Sequence, residues 1–82
     1  MAQIKADQVI DIKGLNCPLP VLKTKRALDF LKPGQILKVV ATDPAVKKDI
    51  PALLERLGDE LLSTEEQEGE VVFYIKKKKE ED

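Results

Sequence analysis

The chain has 82 residues, of which 43% are hydrophobic and 35% are charged, and its formal net charge is −1. This length allows one hydrophobic core, and the balanced charge argues against a general polyanion-binding protein. No apolar run approaches the ~18 residues that span a bilayer. Residues 1–7 also lack the apolar segment of a secretory signal, so we predict a cytoplasmic protein with no membrane partner.

Charge is distributed unevenly along the chain. Residues 1–58 contain ten basic and six acidic side chains, a net charge of +4, whereas residues 59–82 contain four and nine, a net charge of −5. The last seven residues are all charged, and terminal charge runs of this kind seldom become ordered. We therefore predict a single domain over residues 1–76 and a charged C-terminal tail over residues 77–82.

Hydrophobic periodicity predicts alternating strands and helices in the first half of the chain. Three of the four residues 9–12 are apolar and β-branched, which is typical of a strand. Apolar residues then recur at helical spacing, and Pro33-Gly34 cannot continue a helix, so we predict a helix over residues 18–32. The alternating pattern of residues 36–41 predicts a second strand.

A second helix is predicted to follow Asp43, which can cap free amides. Its apolar stripe covers residues 46–57, and Gly58 is a suitable terminator. Pro51 interrupts the stripe, so either the helix kinks there or its regular part begins near Asp49. For both aspartates, helix capping is a simpler interpretation than acid-base chemistry.

The remaining sequence predicts a hairpin. Residues 61–66 and 71–76 have strand patterns, and Glu68-Gly69 lies between them. The order β-α-β-α-β-β predicts an α/β (α+β) two-layer sandwich, in which a mixed four-stranded sheet carries two helices on one face. Polar residues at alternate strand positions favour a second face that is open to water.

Several kinds of functional site are excluded by composition. The chain has no histidine and one cysteine, so neither a histidine-dependent catalytic triad nor a zinc cluster can form. Its four glycines are too dispersed for a phosphate-binding loop, and its three aromatic residues make a poor base-stacking platform. We predict no metal, no cofactor and no direct nucleic-acid contact.

Cys17, the only cysteine, lies where the first strand pattern gives way to the first helix. If Pro18 is the first helical residue, Cys17 occupies the N-cap, where the helix dipole favours a thiolate. Lys23 and Arg26 follow within two turns and add positive charge. A lone cysteine is more often a small buried hydrophobe, but this position lies off both apolar stripes and favours an exposed nucleophile. The residues expected to shape its loop are Gly14, Asn16, Pro18 and Pro20.

Residues 10–20, which read Ile-Asp-Ile-Lys-Gly-Leu-Asn-Cys-Pro-Leu-Pro, resemble the signature of the TusA/SirA-like family of small sulfur-carrier proteins. Its hallmark is Cys-Pro-x-Pro after a Gly-Leu pair, and matches at residues 42–44, 49–51 and 58–61 extend the resemblance over nearly the whole chain. The resemblance implies a β-α-β-α-β-β sandwich similar to the C-terminal domain of translation initiation factor three. It also implies that Cys17 carries sulfane sulfur as a persulfide.

In such a family the sulfur comes from a donor protein, of the cysteine desulfurase or rhodanese type, and passes to an acceptor protein. The resemblance thus implies a role in tRNA thiolation, cofactor synthesis or sulfur oxidation, by a carrier that we expect to be monomeric when free. Partners must reach the sulfur, and on a helical wheel several apolar and basic residues near Cys17 lie away from the core stripe. The residues expected to bind partners are Leu19, Leu22, Lys23 and Arg26, with Phe30 on the same side.

Two other interpretations stay open at this point. The chain could be a non-catalytic regulatory or protein-binding module of the same fold, with Cys17 only a packing or redox-sensitive residue. RNA binding, by analogy with the initiation-factor domain, rests on fold alone and is disfavoured by the charge balance.

Overall fold

A computed structural model describes residues 5–78 of the chain. The predicted order β-α-β-α-β-β is confirmed. The elements are β1 (Gln8–Ile12), α1 (Leu19–Asp29), β2 (Ile36–Ala41), α2 (Val46–Leu57), β3 (Glu60–Gln67) and β4 (Glu70–Lys76). No helix within the described residues is long and apolar enough to cross a membrane.

The strands form one mixed sheet in the order β1-β2-β4-β3. β1 pairs with β2 in parallel, as expected when a helix connects two neighbouring strands. β4 pairs antiparallel with both β2 and β3, so the last strand in the chain lies inside the sheet. The prediction of a mixed four-stranded sheet is confirmed.

One face of this sheet and the two helices enclose the core. Alternate residues of the inner strands are buried on that face, while their neighbours Lys38, Val40, Val72 and Tyr74 are only half-buried on the other. The prediction that both helices cover the same face is therefore confirmed. The buried strand residues are Leu37, Val39 and Ala41 on β2 and Val71, Phe73 and Ile75 on β4, and the helices add Leu28, Val46, Ile50 and Leu54.

The hairpin between β3 and β4 turns at the predicted pair, Glu68-Gly69. Their φ angles are 51° and 82°, both in the left-handed region. Two-residue turns with positive φ at both positions match the right-handed twist of the flanking strands. The two strands extend one or two residues further than predicted because they continue to pair up to the turn, with one irregularity between Leu61 and Ser63.

Both predicted ends of α1 are wrong. The helix begins at Leu19, because Pro18 has the non-helical angles φ −95° and ψ 8° and serves as the N-cap. It ends at Asp29 rather than Lys32, because the Phe30 and Leu31 amides donate to carbonyls only three residues back and tighten the last turn.

The start of α2 decides one of the two alternatives for Pro51. The helix begins at Val46, so a regular part that starts only near Asp49 is wrong, and Pro51 lies inside the helix. Burial of the apolar stripe on both sides of the proline offsets the amide hydrogen bond that Pro51 cannot donate. The predicted terminator is confirmed, since Gly58 has φ 83° and its amide donates to the Leu54 carbonyl.

The chain stays attached to the fold just beyond the domain boundary that we predicted at residue 76. The Lys77 amide donates to the Gln35 carbonyl at 2.8 Å, and the Gly34 amide donates to the Lys77 carbonyl at 3.0 Å. The Lys78 amide donates to Asp59 Oδ1 at 2.8 Å. The rest of the predicted tail, residues 79–82, lies outside the described residues.

Candidate functional site

Two loops meet at the carboxyl end of the parallel strand pair. β1 and β2 are neighbours, and Ile12 is in register with Ala41. The loops that leave these residues, 13–18 and 42–45, therefore start side by side at one edge of the sheet. Open α/β sheets commonly place their functional groups at this end of the strands.

Side chains of the second loop accept hydrogen bonds that hold the first loop in place. The Gly14 amide donates to Thr42 Oγ1 at 2.8 Å, and the Cys17 amide donates to Asp43 Oδ2 at 2.9 Å. The other carboxylate oxygen of Asp43 accepts a hydrogen bond from the Ala45 amide at 3.0 Å. Ala45 is the N-cap of α2 and no side chain caps the helix, so the prediction that Asp43 or Asp49 caps it is wrong. The Asp43 side chain instead holds both the turn before α2 and the backbone of the cysteine.

Local bonds make the cysteine loop compact. Gly14 has φ 84°, a conformation that glycine adopts without strain. The Leu19 amide donates to the Asn16 carbonyl at 2.9 Å, and the Cys17–Pro18 peptide bond is cis. Pro20 differs from the other predicted loop residues because it is buried, at the first turn of α1.

Cys17 is exposed, as the sequence predicts, and it lines a groove of about 240 Å³ between the two helices. One wall consists of Cys17, Pro18 and Val21, from the loop and the first turn of α1. The other wall comes from α2. Its lining residues are Asp49, Ala52, Leu53 and Arg56.

The sequence-based prediction of a thiolate-favouring site is wrong. Cys17 lies one residue before the N-cap, and the charged groups that act on its thiol are carboxylates of α2 and of the loop before it. Asp49 raises the pKa of the Cys17 thiol, first by accepting a hydrogen bond that stabilises the protonated form and also by repelling the thiolate. Partial desolvation and repulsion from Asp43 raise this pKa further.

The predicted partner-binding residues share a surface, but it is a different surface from the groove. Leu19, Leu22, Lys23 and Arg26 line a concavity of about 460 Å³ on the solvent side of α1, together with Lys25 and Asp29. Leu22 is 56% exposed and Phe30 84%. Cys17 is not among the lining residues, so α1 presents a basic and apolar concavity beside the groove that holds the sulfur.

Sequence reasoning missed the wall that α2 contributes. Its four lining residues follow i, i+3, i+4, i+7 spacing, which places them along one side of a helix. That spacing was available in the sequence. What was missing was the packing of α2 against the cysteine loop, which follows from the parallel pairing of β1 and β2.

The site offers the chemistry of one thiol. Within residues 5–78, no group of three or more histidine, cysteine, aspartate or glutamate side chains is placed to hold a metal ion. That thiol belongs to Cys17, and carboxylates, apolar groups and Arg56 surround it.

Comparisons with known proteins agree with this arrangement. The family described as "Sulfurtransferase TusA" matches residues 8–77. "Sulfur carrier protein TusA" of Allochromatium vinosum is 46% identical over 71 residues, which cover 87% of this chain and 93% of that protein. A "Putative sulfur carrier protein" of Aquifex aeolicus is 40% identical over 77 residues, which cover 94% of this chain and 39% of that protein. Among solved structures, a SirA-like protein of Desulfitobacterium hafniense has a TM-score of 0.76 at 23% sequence identity, and the comparison covers 88% of this chain and 99% of that chain. The two proteins therefore share the fold.

Proposed function

The chain belongs to the sulfurtransferase TusA family and is a sulfur carrier, and we propose that Cys17 holds the carried sulfur as a persulfide. The observation that supports this role is the position of the only cysteine. It is exposed on a loop whose amides donate hydrogen bonds to Thr42 and Asp43, and these bonds hold the loop at the edge of the sheet. A sulfur atom held in this way is accessible to another protein.

The transfer step needs only a thiolate and a donor persulfide. The Cys17 thiolate attacks the outer sulfur of the donor, and a bond forms between Sγ and that sulfur. The bond between the two donor sulfurs breaks, and its electron pair leaves on the inner sulfur as a thiolate. The outer sulfur keeps its proton, so the reaction exchanges one persulfide and one thiolate for another pair without net oxidation or reduction. Passage to an acceptor thiolate is the same step, with Cys17 as the leaving group.

The partners of these steps are proteins on both sides of the carrier. We propose that the donor is of the cysteine desulfurase or rhodanese type, and that the acceptor acts in tRNA thiolation, cofactor synthesis or sulfur oxidation. The α1 concavity, lined by Leu19, Leu22, Lys23 and Arg26, is the surface that we expect them to contact. An exposed apolar patch with an arginine beside it is typical of protein-binding surfaces.

Gly14, Asn16, Pro18 and Pro20 are proposed to shape the loop rather than to react. A carrier of this kind requires a free thiol, which reducing compartments maintain, and we therefore propose that it works in the cytoplasm.

Mass spectrometry tests the proposal directly. After incubation with a persulfide donor and removal of the donor, the wild-type chain should gain the mass of one sulfur atom, and a thiol reductant should remove it. Cys17→Ser is the control and should gain nothing. An unmodified wild-type chain across several donor types would contradict the proposal. Full cellular activity of Cys17→Ser would instead favour a regulatory or protein-binding module.

A further inference from the structure

We infer that Asp49 is a positioning residue that holds Cys17 below the reactivity of an ordinary thiol in the free carrier, and that neutralising Asp49 raises this reactivity. The inference rests on the proposed function of Cys17, because it assigns a control to that same sulfur. It concerns a residue for which the sequence suggested only helix capping.

The geometry brings the two side chains together across the groove. Asp49 is the fourth residue of α2 and lines one wall, while Cys17 lines the other. The Cys17 backbone is held in place because its amide donates a hydrogen bond to Asp43 Oδ2 at 2.9 Å. Asp49 is half-buried, and its charge is therefore screened less by water than that of a fully exposed carboxylate.

The charged groups that face the sulfur come from two elements. The loop before α2 supplies Asp43, and α2 supplies Asp49 and Arg56. The wall from α1 and its leading loop adds only uncharged residues beside the thiol. Arg56 lies seven residues after Asp49, about 10 Å along the helix axis. Among the described residues, no lysine or arginine forms an ion pair with Asp49, so its negative charge acts on the thiol without a paired cation.

The direction of the thiol titration agrees with this geometry. Asp49, acting by hydrogen bond and by repulsion, raises the pKa of Cys17, so that the free carrier holds fewer thiolates at neutral pH than an ordinary cysteine. Only the thiolate attacks sulfur or carbon electrophiles, and the proton must first leave to solvent. A cation placed against Asp49, such as a lysine or arginine of a docked protein, has the same electrostatic effect as removing its charge.

The test is the pH dependence of Cys17 alkylation by iodoacetamide, which needs no sulfur donor. Asp49→Asn should move the midpoint of the rate profile to lower pH. For each pH unit of this shift, the thiolate fraction at pH 7 rises about tenfold, while the lower basicity reduces the reactivity of each thiolate about threefold. We therefore expect a net rate increase of about threefold per unit.

Two matched variants separate the local effect from a general charge effect. Glu55→Gln removes one negative charge from the same helix outside the groove and should keep the wild-type midpoint. Asp49→Glu keeps the carboxylate and should keep the midpoint above that of Asp49→Asn. Thermal unfolding of each variant establishes that it is folded under the assay conditions.

A wild-type midpoint in folded Asp49→Asn would overturn the inference, as would an equal shift in Glu55→Gln. Either result leaves the proposed function standing if the wild-type chain still takes up sulfur. Conversely, a wild-type chain that takes up no sulfur would overturn the persulfide proposal, while a shifted midpoint in Asp49→Asn would still support control of the thiol by Asp49.

Discussion

Replacing Asp43 by alanine should destabilise the fold more than its partly exposed position suggests. The substitution removes two acceptors at once, Oδ1 for the Ala45 amide at 3.0 Å and Oδ2 for the Cys17 amide at 2.9 Å. The first bond holds the turn that leads into α2, and the second ties the cysteine loop to that turn. We expect both amides to turn to water and the cysteine loop to loosen.

The magnitude follows from the two bonds. Loss of the hydrogen bond within the turn costs about 1 kcal/mol. A hydrogen bond to a charged acceptor contributes about 1.5–3 kcal/mol, and the half-buried position of Asp43 favours the lower end. The free energy of unfolding should therefore fall by about 2–3 kcal/mol, which lowers the melting temperature of a domain of this size by roughly 10–20 °C.

Urea unfolding of Asp43→Ala measures this loss, and Asp11→Ala is the matched control. Asp11 Oδ1 accepts a hydrogen bond at 3.0 Å from the amide of Lys13, two residues further along the chain. This is the same local pattern as the bond that Asp43 accepts from the Ala45 amide. Asp11 makes no bond to a distant loop in the described chain, so its loss should cost at most about 1 kcal/mol. If the two variants lose the same stability, the bond to Cys17 contributes nothing and the reasoning is refuted.

Three further outcomes are expected. Phe73→Ala, at a fully buried position, should lower the free energy of unfolding measured in urea by about 3–5 kcal/mol. Phe30→Ala, at a position that is 84% exposed, should change it by no more than about 0.5 kcal/mol. Equal losses in the two variants would contradict the assignment of the core. Gly69→Ala should cost only about 1–2 kcal/mol of backbone strain in the same assay, because φ is 82° and an added Cβ meets no atom within 4 Å; a near-zero cost would contradict the left-handed turn. The alkylation midpoint of Cys17 should be higher in the native chain than in urea, because the native pKa is raised. The stability that the Cys17 thiol contributes is then fully present below the unfolded thiol pKa of about 8.5 and is lost as pH rises through the native pKa. A native alkylation midpoint at or below the value in urea would contradict the contacts with the carboxylates.

Much of the fold could be predicted because its elements carry clear periodicity. Residues 36–41 alternate between apolar residues that turn out buried and residues that turn out half-buried, and β2 has the predicted bounds. The stripe in residues 46–57 is equally clear and identifies the buried side of α2 despite Pro51. The ends of α1 were less predictable, because the last turn and the proline before Leu19 depend on local angles that a hydrophobic pattern does not encode.

The candidate site was only partly predictable. The prediction of an exposed Cys17 at the strand-to-helix junction is confirmed. It could be made because Cys17 belongs to neither apolar stripe. The prediction that the site favours a thiolate was wrong, because it considered only the charges that follow Cys17 on α1, those of Lys23 and Arg26. The charges that matter, Asp43 and Asp49, are distant in sequence and reach the sulfur through tertiary packing, which the pattern of one helix cannot show.

The position of β4 between β2 and β3 has a consequence for synthesis of the protein. Its residues Phe73 and Ile75 fill the centre of the core but are the last part of the domain to be translated. A ribosome adds about 5–20 residues per second, so the core of the nascent chain stays incomplete for seconds after Cys17 has been made. Until β4 is in place, the core that packs α2 and its carboxylates beside Cys17 is incomplete.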